Sequence, residues 1–156
     1  MLSPDYTDIL SALSDARAEF LVVGAFAMAA HAMPRATGDI DVWIRPNAAN
    51  AQRVWVALAE FGAPIGDLTL EELSQPGIVF QIGVAPNRID VLTVIDGVTF
   101  EEAWPERVYR TFGGLRVPVI GLRHLLINKR ASGRPKDMAD VAWIESNAVI
   151  PPAPDE

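Results

Sequence analysis

TGDIDVWI, residues 37 to 44, sets two aspartates one residue apart at the head of an otherwise apolar run. In an extended strand successive side chains leave on opposite faces, so Asp39 and Asp41 share one face while Ile40, Val42 and Ile44 turn to the other. Two carboxylates converging at a strand start offer the oxygen donors that a hard divalent cation prefers. The same residues also suit a turn followed by a polar strand edge, and the pair alone does not decide between these readings.

A second acidic strand lies downstream. In RIDVLTVI, residues 88 to 95, Asp90 sits inside an apolar stretch, where an ionised carboxylate is costly unless it finds a partner. If the two strands are neighbours, Asp39, Asp41 and Asp90 form a three-carboxylate basin in which a cation relieves the mutual repulsion. The competing reading pairs Asp90 with Arg88.

Around these strands the pattern alternates between helix and strand. Tyr6, Ile9, Leu10 and Leu13 recur at helical intervals within residues 5 to 17. Phe20 to Val23 read as a short buried strand that runs through Gly24 into an alanine-rich helix beginning near Ala25. Residues 48 to 61 carry a helical stripe of Val54, Leu58 and Phe61, and the stretch from Pro64 to Gly77 reads as irregular and exposed. GIVFQIGV and IDVLTVI fit two strands, with an antiparallel pairing across APNR in view. Phe100 to Trp104 suggest a helical turn, and Tyr109 to Phe112 with Leu115 to Ile120 a small peripheral hairpin or a strand connection. Helices over 122 to 130 and 136 to 145 flank the RASGRP joint. The expected organisation is one domain over residues 1 to 149, with a proline-rich tail from 150 to 156.

Composition narrows the function. The chain has 156 residues, no cysteine and a net charge of -7, so disulfide scaffolds and thiolate metal sites are excluded and the average field repels nucleic acid. Lack of cysteine suits a reducing cytoplasm. The N-terminal segment has no signal-peptide pattern, and FLVVGAFAMAAHAM is too short to span a membrane. His31 and His124 occur without HxH or HExxH spacing, so zinc is disfavoured and His31 reads as a structural histidine. There is no GxxxxGK[ST] phosphate loop. One basic exception runs from Arg123 to Lys136, where Arg123, Lys129, Arg130, Arg134 and Lys136 occur without an acidic residue.

The segments VVGAFAMAAH, PRATGDIDVWI, RIDVLTVIDGVTFEEAW and LLINKRASGRPKDMADV together resemble the nucleotidyltransferase superfamily with the polymerase-beta-like fold, in particular its minimal members related to the AbiEii toxin group. The resemblance runs from Phe20 to Ile144. It implies an α+β fold with a mixed sheet flanked by helices, Asp39 and Asp41 as paired Mg²⁺ or Mn²⁺ ligands, and Asp90 as the third carboxylate. It places Gly24 and Ala25 beside the nucleotide, where family members commonly carry Gly-Ser or Gly-Gly, and it favours Lys129, Lys136 and Asp137 as cleft residues. On residue chemistry alone, Gly24 at a strand-to-helix junction allows a phosphate to approach backbone N–H groups. Arg35 and Arg88 stand beside the acidic strands as charges able to neutralise phosphates, and Asp140 lies one helical turn from Lys136.

The expected activity is transfer of a nucleoside monophosphate from a nucleoside triphosphate to a hydroxyl acceptor, with tRNA and protein as candidate acceptors and pyrophosphate as the leaving group. The alternative is a weakly active or inactive module of the same fold that works with an antitoxin partner in a toxin–antitoxin pair. A third reading, nucleic-acid binding through the 123 to 136 segment, is opposed by the acidic remainder of the chain.

Overall fold

The computed structural model describes residues 3–31, 33, 38–148 and 150–153. Helix α1, Pro4–Asp15, starts with proline in its first turn and buries Tyr6, Ile9, Leu10 and Leu13. It stops two residues short of the expected end because Arg17 enters the left-handed region at φ 58. Strand β1, Phe20–Val23, is buried throughout and turns directly into α2, Gly24–Ala30. Strand β2 is Ile40–Ile44, and α3 is Ala48–Phe61. Asn47 caps α3 by accepting from the Asn50 backbone, and Gly62 closes it at φ 87.

The segment read as irregular contains one ordered turn, α4, Leu70–Leu73. Thr69 and Glu72 exchange reciprocal capping bonds there, which stabilises a helix too short to show a hydrophobic period. Strands β3, Val79–Ile82, and β4, Ile89–Leu92, follow as the antiparallel pair that the sequence suggested. Helix α5, Phe100–Ala103, uses a second capping box, from Thr99 and Glu102, and passes into a 3₁₀ turn at Trp104–Glu106. Strands β5, Val108–Phe112, and β6, Leu115–Val119, precede α6, Leu122–Ser132, and α7, Pro135–Asn147.

The six strands make one mixed sheet in the order β3-β4-β2-β1-β6-β5. Strands β1 and β2 are antiparallel, whereas β2 with β4 and β1 with β6 are parallel. The β5–β6 hairpin is peripheral only in part: β5 forms the edge of the sheet, whereas β6 lies against β1 with Val117 and Val119 fully buried in the core. The protein has an α+β fold, with helices flanking the mixed sheet.

Register assigns the faces. Asp41 pairs with Val23 and Asp90, Val22 with Val119, and Val119 with Val108. Residues opposite one another share a face, so Asp41, Trp43, Asp90 and Tyr109 all leave on one side. Phe100 meets Trp43 on that side at 5.0 Å between ring centroids, so α5 covers its apolar end. Arg110, one residue on from Tyr109, turns to the opposite face and donates to Ala30 O of α2 at 3.2 Å. Buried Asn50 pins α3 to the strands: its amide oxygen accepts from Glu19 N at 2.7 Å, and its Nδ2 donates to Glu19 O and Arg45 O.

Candidate functional site

Strand pairing brings Asp41 and Asp90 together although 48 residues separate them, since β2 and β4 are parallel neighbours with these two residues in register. Asp39 precedes β2 by one residue and stays on the same side. Arg88 stands among the carboxylates. Its Nε donates to Asp90 Oδ1 at 2.9 Å and its Nη2 to Asp90 Oδ2 at 3.1 Å, while Nη2 also lies 3.0 Å from Asp39 Oδ2. The Arg88 backbone N–H donates to Asp39 Oδ1 at 3.3 Å. Both readings of Asp90 thus hold at once: it neighbours Asp41, and it is paired with Arg88.

Asp41 receives no such fork. Burial, then the charge and side-chain contact of Asp90, then Asp39 push its carboxyl up to about 6, and Arg88 offsets only part of this. A carboxylate held in this state is short of positive charge, and all the donors around it are oxygens, which suits Mg²⁺ or Mn²⁺. Among the described residues no three His, Cys, Asp or Glu side chains are gathered closely enough to hold a metal as they stand. The donor chemistry fits a divalent cation, and Arg88 engages both Asp39 and Asp90.

Gly24 is adjacent in space. It adopts φ +69, and a Cβ added there would run into Asp41 Oδ2. The bare glycine is what allows the β1–α2 turn and the Asp41 carboxylate to share this space. Ala25 follows in the first turn of α2. Gly24→Ala is expected to displace Asp41 and to cost about 1 kcal/mol or more through the left-handed backbone alone. Urea unfolding, with cation-dependent nucleotide binding measured in parallel, checks this.

Tyr6 supports the site from α1, a role its helical spacing did not reveal. Its hydroxyl donates to Gly38 O at 2.8 Å, with Pro86 O at 3.1 Å, so one side chain ties together the loops that lead into β2 and β4. Burial, then the Asp39 charge, holds its hydroxyl above its ordinary pKa, so it stays a donor at neutral pH.

The basic block has a different character from its sequence. Lys129 is buried in α6 with Nζ 3.2 Å from Asp137 Oδ1 and 3.0 Å from Asp140 Oδ2. Asp140, expected opposite Lys136, therefore meets Lys129. Asp137 also accepts from Ser132 Oγ at 2.5 Å and Arg134 Nε at 2.7 Å. Burial alone would raise its carboxyl, but these donors outweigh it and hold Asp137 down to about 2. Arg123 pairs with Glu106 and Arg130 with Glu145, so most of the block is neutralised within the protein. Lys136 is exposed on the first turn of α7. Arg134 is raised chiefly by Asp137, with smaller contributions from the charges of Asp96 and Asp41. Its own sequence signal was only membership of the basic run.

Arg35 lies outside the described residues. His31 caps α2, with Nε2 2.8 Å from Ile120 O, a structural contact. Among the described residues no helix is long and apolar enough to cross a membrane.

No curated protein matches the chain. Among solved structures it is similar to a provisionally assigned nucleotidyltransferase from Thermotoga maritima, at 14% identity and a TM-score of 0.59, over 94% of this chain and 97% of that one. At such identity the likeness concerns the fold. Residues 6–151 match the family described as nucleotidyltransferase of unknown function (DUF6036), and the chain, matched over nearly its whole length, belongs to that family.

Proposed function

We propose that the protein transfers a nucleoside monophosphate from a nucleoside triphosphate to a hydroxyl acceptor, using Mg²⁺ or Mn²⁺. The observation that carries this reading is the in-register pair Asp41 and Asp90, with Asp41 raised to about 6 by burial and by its acidic neighbours. A divalent cation held by Asp39, Asp41 and Asp90 would supply charge neutralisation and alignment for in-line displacement. Gly24 and Ala25 leave the β1–α2 turn open to phosphate. Asp90 accepts the proton of the acceptor hydroxyl, the freed oxygen bonds to the α-phosphorus, and pyrophosphate leaves with the electrons of the broken P–O bond.

Arg88 is the cation that changes partners. In the absence of nucleotide it satisfies Asp39 and Asp90, and on binding it turns its fork to the triphosphate. Arg134 and Lys136 add positive charge on the substrate side. Lys129 and Asp137 hold the α6–α7 corner that carries Arg134 and Lys136. Arg88→Gln is expected to enlarge the stabilisation produced by Mn²⁺ alone, because a competitor is removed, while weakening triphosphate binding by roughly tenfold or more. Thermal melts with the ion and calorimetric nucleotide titrations separate the two effects.

The engagement of Asp39 and Asp90 by Arg88 also favours a second reading. In it the chain is a weakly active or inactive module of the same fold, akin to the AbiEii-related group and working with an antitoxin partner. Incubation with α-phosphate-labelled nucleotides, Mg²⁺ or Mn²⁺, and tRNA or protein acceptors discriminates. Label transfer that requires Asp41 supports the enzyme. Cation-dependent nucleotide binding without transfer favours the module, and the absence of such binding overturns the primary reading.

A further inference from the structure

The protein carries a net charge of -7, yet three arginines on the β5–β6 edge, Arg107, Arg110 and Arg116, have no carboxylate partner among the described residues. By contrast Arg45, Arg88, Arg123, Lys129, Arg130 and Arg134 are each paired with an acid. Arg17, Arg53 and Lys136 also lack a carboxylate partner among the described residues, but they stand singly, whereas three such arginines fall within ten residues in RVYRTFGGLR, residues 107 to 116.

Two of these arginines are interleaved with aromatic rings. The Arg107 guanidinium lies 4.0 Å from the Trp104 ring centroid and 5.6 Å from that of Tyr109, and Arg116 covers the Tyr109 ring at 4.0 Å. Arg107 is fixed in this ladder by donating Nη1 to Trp104 O at 2.8 Å and Nε to the Tyr109 hydroxyl at 3.0 Å. Tyr109 remains 36% exposed, and β5 is the outermost strand of the sheet.

The ladder is aligned with the carboxylates. Following the register from Asp41 to Val23, then across β6 to β5, Arg107 precedes Val108 and falls in the cross-sheet row of Asp41, on the same face. Three strand spacings separate them, about 14 Å. We propose that this arginine–aromatic ladder binds a single-stranded nucleic acid and presents its terminal hydroxyl to the carboxylate site. Planar bases stack on Tyr109 and on the flat guanidinium groups, while the unpaired charges neutralise the phosphates. Paired strands have no free base faces to offer, so a duplex is a poorer ligand.

The inference deepens the nucleotidyltransferase reading by naming its acceptor class, but binding is testable without turnover. Fluorescence anisotropy with end-labelled 12-mer RNA and DNA single strands, and with the corresponding duplexes, is the measurement. The expected result is salt-sensitive binding of single strands in preference to duplexes, weakened roughly tenfold or more by Tyr109→Ala. Arg107→Gln and Arg116→Gln are each expected to lower the salt slope by about one unit. Arg130→Gln, at a residue already paired with Glu145, is expected to leave binding unchanged. The RNA and DNA arms tell which sugar is preferred. Single-strand binding that persists in Asp41→Asn while nucleotide binding is lost supports the ladder independently of the catalytic reading. Absence of single-strand binding at low salt, or binding indifferent to all three ladder substitutions, overturns the proposal. So does self-association of the protein that Tyr109→Ala abolishes without any nucleic-acid affinity, which assigns the edge to protein contact. Unchanged cation-dependent nucleotide binding in Tyr109→Ala verifies that the site is intact.

Discussion

Asp41→Asn is expected to abolish nucleotidyl transfer and, in the same molecule, to make the protein harder to unfold. The loss follows from the removal of a proposed cation ligand. Removing groups that merely orient a ligand already costs 10- to 100-fold, so activity should fall by at least ~100-fold. The gain in stability follows from the raised carboxyl, about 6 in the folded protein against an ordinary value of 3.8. Below about pH 4 Asp41 is protonated in both states and contributes nothing. Between about pH 4 and pH 6 the unfolded chain gives up this proton first, so the folded state loses stability, and above about pH 6 the loss is complete. Two pKa units correspond to about 3 kcal/mol, an upper limit for a partly exposed group. Urea unfolding of both proteins across this range should show the variant's advantage growing with pH and then levelling. An advantage that is the same at pH 4 and pH 8 would refute the account. Added Mn²⁺ should narrow the gap by stabilising only the wild type.

The second large effect is the opposite in sign. Lys129→Met should destabilise the protein by about 3–5 kcal/mol, because it leaves Asp137 and Asp140 buried without their shared cation. Lys136→Met, at an exposed position on the same helix pair, should change stability by less than about 0.5 kcal/mol. Asp137 adds a pH signature. Its carboxyl is held at about 2 against an ordinary 3.8, so its stabilisation of about 2 kcal/mol is fully present above pH 4 and drains away as the pH falls toward 2. In Lys129→Met that acid limb should be shallower but still present, since Ser132 and Arg134 continue to donate to Asp137. A denaturation midpoint for Lys129→Met within error of the wild type would show that α6 and α7 do not depend on this pair.

What the sequence disclosed and what it hid divide along a physical line. The periods of α1, α3 and α6, the β-branched run of β2, and the one-face geometry of Asp39 and Asp41 are local properties, and each is legible in a few consecutive residues. The neighbourhood of Asp41 and Asp90 is not local. Spacing along the chain carries no distance, and only the parallel register of β2 and β4 brings these residues together. The same reason conceals β6, whose partner β1 lies nearly a hundred residues earlier. Side-chain commitments were hidden more deeply. Lys129 reads as a free cation until α6 and α7 close over it, and Tyr6 reads as one apolar position of α1 until its hydroxyl reaches the two loops. Helix α4 was missed for a different cause: Thr69 and Glu72 were visible, but one turn is too short for periodicity to register.

The late arrival of β6 has a consequence for the chain during synthesis. Strands β1, β2, β3 and β4 all emerge within the first 92 residues, so the acidic half of the sheet can assemble while the outer edge of β1 still has no neighbour. That edge belongs to a fully buried, apolar strand, the kind of surface that recruits a strand from another molecule. A nascent or prematurely terminated chain lacking residues 115 to 119 therefore holds the clustered carboxylates yet exposes an adhesive border. Translation through β6 is the step that covers this border.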